Sequence, residues 1–202
     1  VLSGKGPVGA FPTQCASFVR VRPESERPEI ELLLSPSSPD THIWIPGIVK
    51  SVGHRFSSRI AVLHPRSRGQ VKLRSADPAD RVRIFWNLLD DPYDLETLRL
   101  GVKAARSIFA QSPLKELVDR EVYPGSKYTS DAEIDEYLRR NCATAHHPAS
   151  TCRMGADESA VVDAELKVHG LSGLRVVDAS IMPTLIGGNT NAPTIMIGEK
   201  AA

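Results

Sequence analysis

A chain of 202 residues with 41% hydrophobic and 24% charged side chains is long enough for one or two domains and too apolar to stay disordered. Its 25 Lys+Arg against 24 Asp+Glu leave a formal charge of +1, which removes the electrostatic case for nucleic acid or an anionic membrane as the main partner. No apolar run approaches the ~20 residues that span a bilayer, and three cysteines (Cys15, Cys142, Cys152) are too few for a disulfide framework and suit a reducing, cytoplasmic setting.

The chain opens on Val1 rather than methionine, and Val1 to Pro7 lacks the cationic and apolar regions of a signal peptide, so a piece of a longer chain is expected. Gly4, Gly6, Pro7, Gly9 and Pro12 predict irregular backbone over residues 1–13. Strand character follows in Ala16 to Arg22 and in the apolar run Glu29 to Leu34, with a Pro/Ser loop after it. Pro46 makes His42 to Ile48 an edge or a bulge. Arg59 to His64 and Gln70 to Arg74 flank Pro65-Arg66-Ser67-Arg68-Gly69 and read as a hairpin, with Gly69 to Ser75 alternating as a half-buried strand would. Asp80 to Asn87 is a further strand, and Trp44, Phe85 and Trp86 are expected in the core.

Helices come next. Leu95, Leu98, Val102, Ala105 and Ile108/Phe109 recur at spacings of three and four, with Asp94 placed to cap the start. Ser130-Asp131-Ala132-Glu133 is a capping-box sequence, after which Ile134, Tyr137 and Leu138 share one helical face. Strands first and helices afterwards predict an α+β fold, an antiparallel β-sheet with helices packed on one side.

From Asn141 to Ala160 polar and small residues dominate, in a stretch too long for an ordinary connector. It contains His146, His147, Cys142, Cys152 and Met154. As zinc ligands these are poorly spaced, since adjacent histidines on extended backbone point to opposite sides and no Cys-x-x-Cys or His-x3-His is present. A serine hydrolase is excluded because the chain has no Gly-x-Ser-x-Gly. Leu174 to Ser180 reads as a short buried strand ending in Asp178-Ala179-Ser180. Near the end, Pro193 suits the first turn of a helix that Asn191 is placed to cap, and such a helix start attracts an electron-rich or anionic group. His42, His54, His64 and His169 read as surface or strand histidines.

Three blocks occur in order: His147-Pro148-x-x-Thr151-Cys152-Arg153-Met154-Gly155, then Val176-Val177-Asp178-Ala179-Ser180-x-x-Pro183, then Gly188-Asn189-Thr190-Asn191-Ala192-Pro193-Thr194. Together they make residues 140–202 resemble the C-terminal portion of the glucose–methanol–choline (GMC) oxidoreductases, flavin enzymes that oxidise alcohols. Ser150 departs from the pattern, which usually has Gly there.

The resemblance implies FAD as cofactor and a small-molecule alcohol as substrate, oxidised to an aldehyde or ketone by hydride transfer to flavin N5. It assigns the base to His147; an imidazole suits proton transfer near neutral pH. The family's second catalytic position, a His or Asn, falls on Asn189, 42 residues later, whose amide would stabilise developing alkoxide charge. It places Asp178, Ala179, Asn191, Ala192 and Pro193 where the family contacts the flavin, with His146 next to the base and facing flavin or substrate.

The family's Gly-x-Gly-x-x-Gly for the ADP part of FAD is missing: Gly4-x-Gly6-x-x-Gly9 has the spacing, but Pro7, Pro12 and the lack of a preceding strand disqualify it. The expected organisation is therefore a partial substrate-binding domain over 1–140 and, over 141–202, a segment returning to an FAD-binding domain that lies largely outside this chain. That missing N-terminal portion is the chain's expected partner, and the piece alone is expected to be inactive. Two other readings stay open: a non-catalytic chain that keeps the fold and binds a partner, and a zinc-binding module.

Overall fold

Ile30 has alternating apolar neighbours in sequence and none of its surface reaches solvent in the computed structural model, which describes residues 15–38, 40, 47, 48 and 53–202. It begins β2 (Ile30–Ser35), the middle strand of an antiparallel sheet in the order β1-β2-β3, with β1 at Cys15–Val19 and β3 at Ser57–Val62. The register pairs Ile30 with Val19 on one side and with Val62 on the other. A middle strand loses solvent on both faces, and Glu31 is accordingly buried along with Ile30 and Leu32.

Helix α1 (Pro92–Phe109) covers the Ile30 face. Ala105 closes a cluster with Ile30 and Leu32, against which Val19, Val21, Ile60 and Phe109 pack. Gly101 is the point of closest approach: a Cβ there would stand 2.7 Å from Ile60 Cγ2 and 3.2 Å from Ile30 Cδ1. Removing Ile30 from water contributes about 2 kcal/mol, which makes this contact a principal anchor of the sheet. The α+β arrangement expected from strands followed by a periodic helix is present here.

The chain divides into two compact units, one of Val1–Val62 with Thr97–Lys127 and one of Leu63–Glu96 with Tyr128–Ala202. The first holds the sheet and most of α1, and also a short helix α2 (Leu114–Leu117) with no counterpart in the sequence reading. The second holds β4 (Gln70–Lys72) and β5 (Arg83–Phe85), α3 (Asp131–Asn141), a 3-10 turn (Ala179–Ile181) and α4 (Asn191–Ala201). The capping box is present at α3: the Ser130 hydroxyl accepts from Glu133 N, and the Glu133 carboxylate accepts from Ser130 N at 2.8 Å. Ile134 and Leu138 are buried, and Tyr137 packs its ring 5.3 Å from that of Tyr128.

Five expectations are corrected. Residues 59–74 do not form a hairpin, because β3 pairs with β2 while β4 pairs with β5. The intervening loop is held instead by Asp94, whose two carboxylate oxygens accept from Arg66 N and Ser67 N at 2.8 Å each. Asp94 is thereby committed to that loop and does not cap α1; at the helix start Asp91 accepts from Tyr93 N at 2.9 Å. The β4–β5 ribbon is exposed on both faces rather than half-buried, so Val71, Ile84, Phe85 and Trp86 are not core. Leu174 to Ser180 is not a buried strand: only an isolated bridge, Lys167 to Arg175, forms there, and Leu174, Arg175 and Val177 are exposed. Finally, α4 takes Thr190 rather than Asn191 as its N-cap residue. The expectations for residues 1–13, Trp44 and most of His42 to Ile48 lie outside the described residues.

Candidate active site

The three sequence blocks of the C-terminal region meet in the second unit. Backbone hydrogen bonds run from Ser150 N to Ala179 O, from Cys152 N to Ser180 O and from Met154 N to Ile181 O, joining the first block to the second. Beneath them Val162, Ile181, Met182 and Ile197 are buried together, with Ala149, Met154 and Ala179 packed around them. Ile197 belongs to α4, so the same cluster holds the third block. Buried residues from three separate pieces of chain thus hold together a segment that has little regular secondary structure before α4.

On this base His147 is gripped from the third block at both ring nitrogens. Nδ1 lies 2.8 Å from Thr190 Oγ1, and Nε2 lies 2.9 Å from Asn189 Oδ1. The ring is half-buried and Asn189 is exposed, whereas Thr190 keeps only 9% of its surface in solvent. The two residues proposed from the resemblance, His147 and Asn189, are therefore brought into contact across 42 positions of sequence.

Thr190 was not singled out from sequence. An N-cap threonine normally turns its hydroxyl to the N–H groups of the first helical turn, and losing that bond costs about 1 kcal/mol. Here the side chain makes no capping bond, and the backbone has αR rather than extended angles (φ −83, ψ −9). The hydroxyl goes to His147 instead. The signal available in sequence was a hydroxyl residue directly between Asn189 and the start of a helix, but that pattern alone reads as an ordinary cap.

The sequence marks His64 only as a surface or strand histidine, but the structure sets its half-buried ring against the loop that carries Asn189. A Cβ on Gly187 would fall 2.6 Å from His64 Cε1 and 2.9 Å from Nε2. A side chain there would force the His64 ring to shift, in contrast with Gly188, which has open space around it.

The remaining candidates lie close by in the same unit. His146 is exposed and takes a left-handed backbone angle (φ 62), with its N–H bonded to Thr144 Oγ1. Asp178 is exposed and caps the 3-10 turn, its carboxylate accepting from Ser180 N at 2.8 Å; Ala179 is half-buried. Asn191 and Ala192 are exposed at the first turn of α4, with Pro193 half-buried behind them. Ser150, where glycine is usual in the resembled family, sits at φ 73, a conformation that explains the usual glycine.

All three cysteines are free. Burial, with the Asp94 charge adding to it, pushes the Cys142 thiol up, which opposes the thiolate form that binds metal. Among the described residues no group of three His, Cys, Asp or Glu side chains is gathered as a metal site requires, and no helix is long and apolar enough to cross a membrane.

Comparison with known proteins places the chain in a family. The family model described as GMC oxidoreductase matches residues 65–198. An alcohol dehydrogenase (acceptor) from Pseudomonas putida is 42% identical over all 202 residues, and an oxygen-dependent choline dehydrogenase from Paraburkholderia phymatum is 40% identical over the same length. The chain spans 36% of the first protein and 35% of the second. Among solved structures, pyridoxine 4-oxidase from Mesorbium loti superposes with a TM-score of 0.81 at 33% identity, covering 94% of this chain and 37% of that one. An FAD-dependent oxidoreductase from Chaetomium thermophilum superposes with a TM-score of 0.72 at 27% identity, covering 87% of this chain and 27% of that one. With the matched model covering most of its length and the His147–Asn189–Thr190 cluster inside the match, the chain belongs to the GMC oxidoreductase family.

Proposed function

We propose that this chain is the C-terminal part of a longer FAD-dependent enzyme that oxidises the CH–OH group of an alcohol to an aldehyde or ketone. The observation that carries this reading is the 2.9 Å contact between His147 Nε2 and the Asn189 side chain. A ring nitrogen and an amide group that close together can address one substrate oxygen, the amide through its NH2 end rather than through the Oδ1 that faces Nε2 here. His147 Nε2 takes the hydroxyl proton, and the Asn189 amide donates to the oxygen as it gains alkoxide character. Asn189 has no titratable group near neutral pH, so His147 carries the proton transfer alone.

The start of α4 suits a flavin. Its N-cap side chain is engaged elsewhere, so the N–H groups of Asn191 and Ala192 remain at the positive end of the helix dipole, uncapped and in exposed residues. Asn191, Ala192 and Pro193 would face an electron-rich ring there, and Asp178, Ala179 and His146 would complete the cofactor side. FAD, when bound, supplies the hydride acceptor for the alcohol carbon. The ADP half would be held by a Gly-x-Gly-x-x-Gly portion of the longer protein, with residues 1–140 contributing to the substrate side and 141–202 to the flavin side.

The test is the absorbance of the longer protein during anaerobic addition of a panel of primary alcohols. Loss of the oxidised flavin band on addition of at least one alcohol is expected. A protein that purifies without flavin, or whose flavin no alcohol reduces, contradicts the proposal.

A further inference from the structure

Thr190 gives up the capping role of its position and places its buried hydroxyl 2.8 Å from His147 Nδ1. We infer that Thr190 is a positioning residue for the base, holding His147 with Nδ1 toward α4 and Nε2 toward Asn189 in both protonation states of the ring; this rests on His147 being the base.

The argument is one of hydrogen-bond inventory. A base that takes a proton at Nε2 must carry its own proton on Nδ1 beforehand, because neutral imidazole has one N–H. Nδ1–H then needs an acceptor, and the Thr190 oxygen is at the right distance to be one. When the substrate O–H bond breaks and the new N–H bond forms at Nε2, Nδ1 remains a donor, so the Thr190 bond persists unchanged. Asn189 accommodates the change on the other side. Its Oδ1, which faces Nε2 at 2.9 Å here, accepts from a protonated Nε2, and when Nε2 is bare the amide turns its NH2 end toward the substrate oxygen. The ring therefore need not turn between states.

The helix start does not depend on that hydroxyl. The Thr190 carbonyl accepts from Thr194 N at 3.0 Å and from Thr194 Oγ1 at 2.7 Å, both main-chain features of position 190 that survive a side-chain change. Thr190→Val, which keeps shape and removes the hydroxyl, is thus a clean probe, and Thr190→Ser restores the oxygen.

The experiment uses the longer FAD-loaded protein with 15N-labelled histidine. It reads the nitrogen shifts of His147 together with the rate of flavin reduction, in the wild type and in the Val, Ser and His147→Ala variants. The expected result is a predominantly Nδ1–H neutral ring in the wild type and the Ser variant. The Val variant should show mixed tautomers and reduction slowed roughly tenfold to hundredfold, the scale of a misoriented reacting group. A Val variant with the wild-type nitrogen shifts overturns the inference, whether or not its rate falls, since a lower rate alone would then reflect packing. If His147→Ala keeps the wild-type rate, the base assignment fails; the nitrogen shifts of the Val variant still decide separately whether Thr190 sets the ring.

Discussion

The edge of the His64 ring lies against Gly187 so closely that a Cβ on that glycine would stand 2.6 Å from His64 Cε1. Gly187 is two residues before Asn189, so this close approach lies on the loop that presents the amide to His147.

Gly187→Ala is therefore expected to destabilise by about 1–3 kcal/mol, the usual cost of overpacking, and to lower turnover through displacement of Asn189. Adding His64→Ala should restore part of the loss, because it removes the clashing atoms. Thermal denaturation of the two single variants and the double variant measures the coupling. Additive effects would show that the two residues do not press on one another.

Ser150→Gly should stabilise the chain. Ser150 has φ 73, where a side chain costs about 1–2 kcal/mol. Glycine removes that strain but returns roughly 0.5–1 kcal/mol of extra freedom to the unfolded chain. The net gain is then of the order of 0.5–1 kcal/mol, visible as a higher melting temperature. A lower one would mean that the serine hydroxyl has a role beyond its backbone angle.

Asn189→Ala in the longer protein should slow flavin reduction by about 10²–10³-fold, as loss of a hydrogen-bond donor to developing oxyanion charge does. The alcohol concentration giving half-maximal rate should change much less. Stopped-flow reduction across alcohol concentrations separates the two. A loss confined to binding would place Asn189 outside the reacting atoms.

Glu133 links the second unit to acid. The Ser130 backbone N–H, followed by the Ser130 hydroxyl and the Thr129 N–H, draws its carboxyl down from the ordinary 4.5 to about 2. A carboxyl depressed by folding favours the folded state above its unfolded value and loses that contribution as pH falls through the folded one. The window is therefore pH 4.5 down to about 2. Glu133→Gln should show a shallower fall of melting temperature across this window than the wild type, and parallel curves would exclude the carboxylate as a contributor.

The legible parts of the sequence were those in which a single local pattern had one physical outcome. Leu98, Val102 and Ala105 could share a face only on a helix, and Ser130 with Glu133 had few uses other than a capping box. The proposed catalytic pair His147 and Asn189 was readable because three separate blocks carried the resemblance. Pairing partners were less legible: the alternation in residues 59–74 fits strands, but the choice of β2 for β3 depends on Ile60 packing with Ile30 beneath α1. Asp94 looked like a cap because its use, accepting from Arg66 and Ser67, comes from a loop 27 and 28 residues away. Thr190 and His64 were hidden for the same reason. Their roles are contacts with His147 and Gly187, which no local spacing records.

The most direct measurement is the rate of flavin reduction by a primary alcohol in the longer protein with His147→Ala. If His147 takes the hydroxyl proton, the rate falls about 10²–10⁴-fold, the range of general-base catalysis, while flavin content and melting temperature stay near those of the wild type. A folded, flavin-loaded variant that reduces at a near-wild-type rate would contradict the assignment of the base and with it the proposed chemistry of the site.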